Sequence, residues 1–274
     1  MATPREINRH MKSVGNIGKI TKAMKMVAAA RLRRAQEKAA ASRPYAIKIK
    51  EVLSNVVSDP SVLAGLDAKK HPLLQKREVQ KVGYLVLCSD KGLAGAYSSN
   101  ALKKAIAEIS ECEDEVVIIT CGRKARDFFT RRGFNVIQSH IGFSDRPTYE
   151  NAVEIAQDAI KTFSAEGFDK LNIVYTVFKT ALSQIPTSEV ILPVEPPAKE
   201  NDKAQASFMF DPGEDETLKV LAPKYLETVV YAALVQSAAS ELGSRMTAMS
   251  SATDNAAKLV SSLQLSYNKA RQAG

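Results

Sequence analysis

The stretch from Leu221 to Ala270 constrains this chain most. Stepping along it by alternating fours and threes gives Leu221, Tyr225, Thr228, Ala232, Val235, Ala239, Leu242, Met246, Met249, Thr253, Ala256, Val260, Leu263, Tyr267 and Ala270. Thirteen of these fifteen positions are apolar; Thr228 and Thr253 are the exceptions. No proline lies between Pro223 and Ala273, and Gly243 is the only glycine there. A strict seven-residue repeat held this long predicts one helix in a left-handed coiled coil. At ~1.5 Å per residue that helix is on the order of 75 Å long. No compact domain encloses such a rod, so it must project and must have a partner helix.

The other end of the chain supplies the partner. The same stepping from Ile7 gives Ile7, Met11, Val14, Gly18, Thr21, Lys25, Ala28, Leu32, Ala35, Ala39, Ser42, Ala46, Ile49, Leu53 and Val56, eleven of fifteen apolar. The misses cluster at Gly18, Thr21 and Lys25, where apolar residues move to Ile17, Ile20, Met24 and Val27. This pattern predicts a drift in register. Pro4 suits a helix first turn. Pro44 predicts a kink, because an interior proline removes a hydrogen bond and costs about 3 kcal/mol. Two long helices at opposite ends of a folded middle most simply pair antiparallel.

Charge is concentrated at the start. Residues 1–36 hold nine cations (Arg5, Arg9, Lys12, Lys19, Lys22, Lys25, Arg31, Arg33 and Arg34) against one acid, Glu6, which equals the net +8 of the whole chain. Such a segment reads as an organellar transit peptide, as a nucleic-acid or membrane binder, or as a basic helix facing acidic protein. The heptads run on to Val56 without a cleavage-like break, which weighs against the first. Missing aromatic interleaving and Ala-rich apolar positions weigh against the second. The third is the sharpest, and a merely solvated basic face competes with it. The longest apolar run, Val229–Val235, is far short of the ~20 residues of a membrane-spanning helix. Cys88, Cys112 and Cys121 have no metal-ligand spacing and read as small buried hydrophobes in a reducing compartment.

Residues 59–80 carry two prolines, a glycine, clustered charge and His71, and read as a connector. The middle alternates. Strand-like runs at Val82–Leu87, Val116–Thr120, Phe134–Gln138 and Leu171–Phe178 interleave with helical stretches at Ala101–Ile109, Arg123–Arg132 and Tyr149–Phe163. That order predicts an α/β fold, a Rossmann-like and mostly parallel sheet covered by helices. A further strand is expected at Val190–Val194, after a turn near Pro186. The domain division is then a helix over 1–58, a connector over 59–80, an α/β unit over 81–214 and a helix over 215–274, the two helices forming one shaft. Residues 195–217 are polar around an apolar knot, Phe208-Met209-Phe210, which reads as an edge strand or a contact patch.

Chemistry is sparse. The loop Asp90-Lys91-Gly92-Leu93-Ala94-Gly95 opens a helix as a phosphate site would, but it matches neither glycine-rich nucleotide motif. A tight structural turn is the favoured reading. His10, His71 and His140 lie far apart, and no G-x-S-x-G occurs. No catalytic constellation, metal site or cofactor site is expected.

Four segments carry a resemblance: GKITKAMKMVAAARL at Gly18–Leu32, SRPY at Ser42–Tyr45, YLVLCSDKGLAGAY at Tyr84–Tyr97, and ATDNAAKLVSSLQLSYNKARQ at the end. Together they resemble the γ subunits of F-type ATP synthases, the central rotor shaft, collinearly from Ile7 to Gln272. The resemblance implies a non-catalytic shaft, one copy per complex, inside a ring of α and β subunits, coupling proton or sodium flow to the catalytic sites. It implies contact of Lys22, Met24, Lys25, Met26 and Val27 with an acidic lever loop of β. Lys91 is implied beneath the ring, and Arg271 and Gln272 at a β loop near the top. Phe208, Met209, Phe210 and Asp211 are implied at the base, toward ε and the membrane c-ring. No nucleic acid and no membrane insertion are implied.

Family members continue roughly four helical turns beyond the Arg-Gln pair, whereas this sequence stops at Gly274, so either the chain is incomplete there or the shaft tip is short. The immediate start of the shaft after Met1 leaves no room for a presequence and implies the cytoplasmic face of a bacterial membrane. No inserted cysteine pair of the chloroplast kind is present. The competing class is a nucleotide-binding α/β scaffold or regulator with coiled-coil arms, which direct nucleotide titration distinguishes.

Overall fold

The computed structural model describes residues 3–57, 71–194 and 213–273. Helix α1 spans Pro4–Val57. Strand β1 (Lys81–Leu87) leads to α2 (Tyr97–Glu111), β2 (Glu115–Cys121), α3 (Arg123–Arg131), β3 (Val136–His140), α4 (Tyr149–Ser164), β4 (Lys170–Phe178) and β5 (Gln184–Leu192). Helix α5, Glu214–Ala273, closes the chain. At 1.5 Å per residue α1 and α5, of 54 and 60 residues, are about 80 and 90 Å long.

The two long helices pair antiparallel. Gly18 faces the Ala256 Cβ, Thr21 shares a 2.7 Å hydroxyl contact with Thr253, and Lys25 donates to Ser250 at 2.9 Å. Further down, Leu32 packs with Ala239 and Leu242, joined by Ala35 and Met246. The expected register drift at Gly18–Lys25 does not occur. Gly18 and Thr21 stay in the seam, Thr21 buried, while Ile17 and Ile20 are exposed. The seam holds its period because Thr253 lies opposite Thr21: one hydroxyl donates to the other, which in turn donates to a carbonyl of its own helix, that of Gly18 for Thr21 or of Met249 for Thr253, so the polar layer is satisfied.

Pro44 does not end α1. Both Pro44 and Ala40, whose carbonyl loses its helical donor, are exposed, which leaves the freed group open to solvent. Pro223 lies within α5 in the same way, with Lys219 exposed four residues before it.

The sheet has strand order β3-β2-β1-β4-β5. Strand β1 runs parallel to β2 and β4, β2 parallel to β3, and β5 antiparallel to β4. β5 begins earlier than expected and contains Pro186, paired with Thr176. The proline is tolerated because β5 is the edge strand and the missing N–H falls on its open side. The turn lies instead at Thr180–Ser183, where Ser183 donates to the Thr180 carbonyl. His71 is buried ahead of a 3-10 turn, Pro72–Leu74. Leu73 is buried too, and its carbonyl accepts from Val194.

Each face of the sheet buries a core. Leu85, Leu87, Val117, Ile119, Leu171 and Ile173 pack on α4 through Ile155, Ala159 and Phe163, and on α5 through Leu218, Leu226, Val230 and Leu234. Leu53 of α1 enters the same core. On the opposite face Val82, Tyr84, Val86 and Ile118 meet Ala101, Leu102 and Ala105 of α2 and Phe129 of α3. A capping box starts α4: the Asn151 N–H donates to Thr148 Oγ1, and the Thr148 N–H to Asn151 Oδ1 at 3.0 Å. The lower half of α5 is thus a foot helix, and toward its C-terminal end the helix runs beside α1.

The seam can be tested with two leucines of α5. Leu242 is buried against Leu32, whereas Leu265 is 64% exposed. Leu242→Ala is expected to cost about 2–5 kcal/mol through lost burial and the residual cavity, and Leu265→Ala no more than about 0.5 kcal/mol. Urea midpoints of the two variants check this; equal shifts would contradict the pairing.

Candidate functional site

α1 carries a second apolar stripe beside its seam. Ile17, Ile20, Met24 and Val27 recur at steps of three and four, so they share one flank of the helix. Ile17, Ile20, Met26 and Val27 are 50–60% exposed and Met24 is half-buried. Lys19, Lys22 and Lys25 are exposed on other sides of the same turns. Among the described residues neither Lys19 nor Lys22 has an ion-pair partner, and Lys25 reaches only the Ser250 hydroxyl. Helix α1 has no acid between Glu6 and Glu37. The result is an apolar flank on a helix whose other exposed faces carry uncompensated positive charge, an arrangement suited to surroundings that offer both apolar and acidic groups.

Where the stripe nears the foot it becomes a groove of about 520 Å³, walled by Ile20, Met24 and Val27 of α1, Leu242 of α5 and Leu93 of the loop after β1. Leu93 is 63% exposed and holds φ at 62°, the left-handed region that costs a non-glycine residue about 1–2 kcal/mol. The fold therefore holds a large apolar side chain out to solvent at the groove mouth.

Of the expected contact residues, the structure gathers Met24, Val27 and the Lys91 loop at this groove, and places Lys22, Lys25 and Met26 on the exposed side of α1. Lys91 Nζ lies 3.4 Å from Asp145 Oδ2. Arg271 and Gln272 are exposed near the far end of α5, roughly 40 Å of helix beyond Arg245. Phe208, Met209, Phe210 and Asp211 fall outside the described residues. Leu93, Ile17 and Ile20 were not expected as contact residues. The signal for the last two was present: Thr253 and Ala256 hold the α5 seam opposite Thr21 and Gly18, which leaves the isoleucines outside it.

The expectation of a structural turn at Asp90–Gly95 can be examined atom by atom. The Asp90 carboxylate accepts from the backbone N–H groups of Arg123, Gly142 and Ser144 at 2.9–3.0 Å, and the Asp90 N–H donates to Ser144 Oγ. Burial raises its pKa, but these hydrogen bonds outweigh burial and hold it below the ordinary carboxylate value. A carboxylate so occupied ties β1, α3 and the loop after β3 together. Gly122 is forced by contact: at φ 99° an added Cβ would lie 2.2 Å from the Cys88 carbonyl oxygen.

Helix α5 covers the carboxyl ends of β1 and β4. Ser240 Oγ donates to the Thr176 carbonyl at 2.9 Å, Ser244 Oγ to that of Ala94 at 2.7 Å, and Arg245 Nη2 to that of Gly92 at 3.2 Å. Arg245 also pairs with the buried Glu241 at 2.7 Å. Burial raises the Glu241 pKa against that opposing pull. Burial likewise pushes the Cys88 and Cys121 thiols up, which leaves both unreactive. Among the described residues no three His, Cys, Asp or Glu side chains group to hold a metal. No helix of the described residues is long and apolar enough to cross a membrane.

These features define a class: a two-helix stalk on an α/β foot, with its own helix bonded over the ends of β1 and β4 and an exposed apolar flank along the stalk. A family model described as ATP synthase matches residues 3–274. The chain is 47% identical over 272 residues to an ATP synthase gamma chain of Brevibacillus brevis, covering 98% of this chain and 92% of that one. It is 42% identical over 273 residues to the gamma chain of Desulforamulus reducens, covering 100% and 94%. In fold it is similar to the rotor of the Euglena gracilis mitochondrial ATP synthase, with a TM-score of 0.65 at 17% identity over 98% of each chain. It is also similar in fold to the central stalk and c-ring structure of the Tetrahymena thermophila mitochondrial enzyme, with a TM-score of 0.63 at 23% identity, covering 85% and 99%. The chain belongs to the ATP synthase gamma chain family.

Asp90→Ala leaves three backbone N–H groups without their acceptor and is expected to cost about 2–4 kcal/mol at pH 7, at 1–3 kcal/mol per unmade buried bond with partial rescue by water. The sign with pH follows from the depressed pKa. The ionised carboxylate contributes fully above the unfolded value of 3.8, and the contribution is lost as pH falls through the lower folded value. Urea midpoints of wild type and variant should therefore converge only below pH 3.8. A constant gap across that range would argue against the carboxylate's role.

Proposed function

We propose that this chain is the central rotary shaft of an F-type ATP synthase, a non-catalytic subunit coupling ion flow through a membrane ring to conformational change in the nucleotide-binding ring. One observation carries the reading: a long two-helix stalk presents an exposed apolar flank on one side of α1 and, on another, Lys19 and Lys22, which have no ion-pair partner among the described residues, while α5 is bonded to the foot at Ala94 and Gly92. Family membership supports the assignment, and the bacterial relatives support a peripheral position on the cytoplasmic face of the cell membrane. The division proposed is a shaft of residues 1–58 and 215–274, a connector over 59–80 and a foot over 81–214, with the lower part of the second helix also serving the foot.

The flank of Ile17, Ile20, Met24 and Val27, together with Lys22, Lys25 and Met26 on the other sides of α1, is proposed to meet the acidic lever of the β subunits as the shaft turns. Lys91 and Leu93 lie at the foot end of that surface. Arg271 and Gln272 are proposed to meet a β loop at the upper end. The base is proposed to meet ε and the c-ring, with Phe208, Met209, Phe210 and Asp211 assigned there by resemblance alone. A shaft turning past three equivalent partners needs contacts that form and break at each step. Exposed ion pairs, worth about 0–1 kcal/mol each, meet that need.

Single neutralisations such as Lys25→Ala are therefore expected to change coupling little. Reversal differs, because like charges juxtaposed at an interface can cost several kcal/mol. Lys22→Glu with Lys25→Glu should lower the protons pumped per ATP hydrolysed, with hydrolysis and assembly largely kept. Pumping and hydrolysis measured in the same reconstituted vesicles give the ratio. An unchanged ratio would leave shape alone to carry the torque.

A further inference from the structure

The two shaft helices are fixed to the foot in different ways. Helix α5 is part of the foot, with Leu218, Leu226, Val230 and Leu234 in the sheet core. Helix α1 reaches that core only near its lower end, through Val52 and Leu53. Above it, α1 lies against α5. Two packed helices are separated by about 8–10 Å. A pair held to its base by one helix can twist about that helix unless the other is pinned off-axis.

The structure contains such a pin. The Arg31 guanidinium of α1 pairs with the Asp145 carboxylate of the loop after β3, which also receives Lys91. The Asp145 side chain is only 10% exposed and that of Arg31 28%, so water screens the pair poorly. The loop bearing Asp145 is itself anchored, since Gly142 and Ser144 donate to Asp90 at the end of β1. On the α5 side, Ser244 and Arg245 bond the carbonyls of Ala94 and Gly92. Those bonds lie at the level of Arg31, because Leu32 packs against Leu242. Both helices are thus tied to neighbouring loops of the foot at the height where the shaft leaves it.

We propose that Arg31 and Asp145 form a torsional latch, positioning residues that pin α1 off the α5 axis so that foot and shaft turn as one body. The proposal rests on the shaft reading above. Rotation of a bead coupled to the foot, in the assembled complex with its nucleotide-binding ring fixed to glass, tests the two separately. In the stalled state Asp145→Asn is expected to raise the variance of the thermal angular fluctuation about twofold, since one of the two anchors of α1 on the foot is gone. Arg31→Gln should do the same, and the double variant should be no worse than either single one, as two halves of one contact require. Arg31→Lys, which keeps the cation, should stay near wild type and serves with Arg31→Gln where Asp145→Asn fails to assemble. Unchanged variance with a lowered urea midpoint would make the pair a stability contact only and overturn the latch, while the rotating bead leaves the shaft reading in place. A wild-type bead that never turns would remove the shaft reading and the latch with it.

Discussion

The rest of the molecule depends on one helix being shared between two bodies. The lower half of α5 is buried between the sheet, α4 and the end of α1, and each of its fully buried aliphatic side chains contributes about 1.5–3 kcal/mol. Toward its C-terminal end it lies against α1, through Ser250, Thr253 and Ala256. Because the backbone runs without a break from Glu214 to Ala273, a turn of the foot reaches the shaft through covalent structure and helical hydrogen bonds. No flexible joint intervenes. What remains to be controlled is the second helix, which the seam holds along its length and polar contacts hold at the foot.

The seam favours closeness over apolar area. Gly18 meets Ala256, and Ala28, Ala35, Ala239 and Ala256 recur along it. Small residues let backbones approach and gain dispersion contacts without long, adaptable side chains between them. The Thr21–Thr253 layer adds selectivity, since sliding either helix would set a hydroxyl against an apolar neighbour. This arrangement releases the large apolar residues of the same turns. Ile17, Ile20 and Val27 sit outside the seam because Gly18, Thr21 and Ala28 fill it, and they stand exposed beside it.

Much of this was legible in the sequence, and its failures have physical causes. The heptads of α5 and the strand–helix alternation are local periodicities, so they could be read from one chain. The misread register of α1 came from following size: Ile17 and Ile20 outweigh Gly18 and Thr21 in any count of apolar residues. The count omits that the partner must fit, and Thr253 and Ala256 on α5 fit a threonine and a glycine. Pro186 was read as a turn because a proline breaks central strands, and its place at the sheet edge is a matter of topology. The contacts of Arg31 with Asp145, and of Arg245 with Gly92, join residues more than a hundred positions apart and carry no local signal.

In the foot, part of the edge where open α/β sheets take ligands is occupied by the chain's own helix. In an open sheet of this order the crevice lies beyond the carboxyl ends of the strands, where the connections from β1 and β4 diverge. Here those ends meet Ser240, Ser244 and Arg245 of α5. In the loop that opens α2 the carbonyls of Gly92 and Ala94 accept from a helix, and Asp90 spends its carboxylate on three backbone N–H groups. The polar groups that would orient a substrate thus orient the shaft. The architecture is Rossmann-like, yet what occupies its functional edge decides its use.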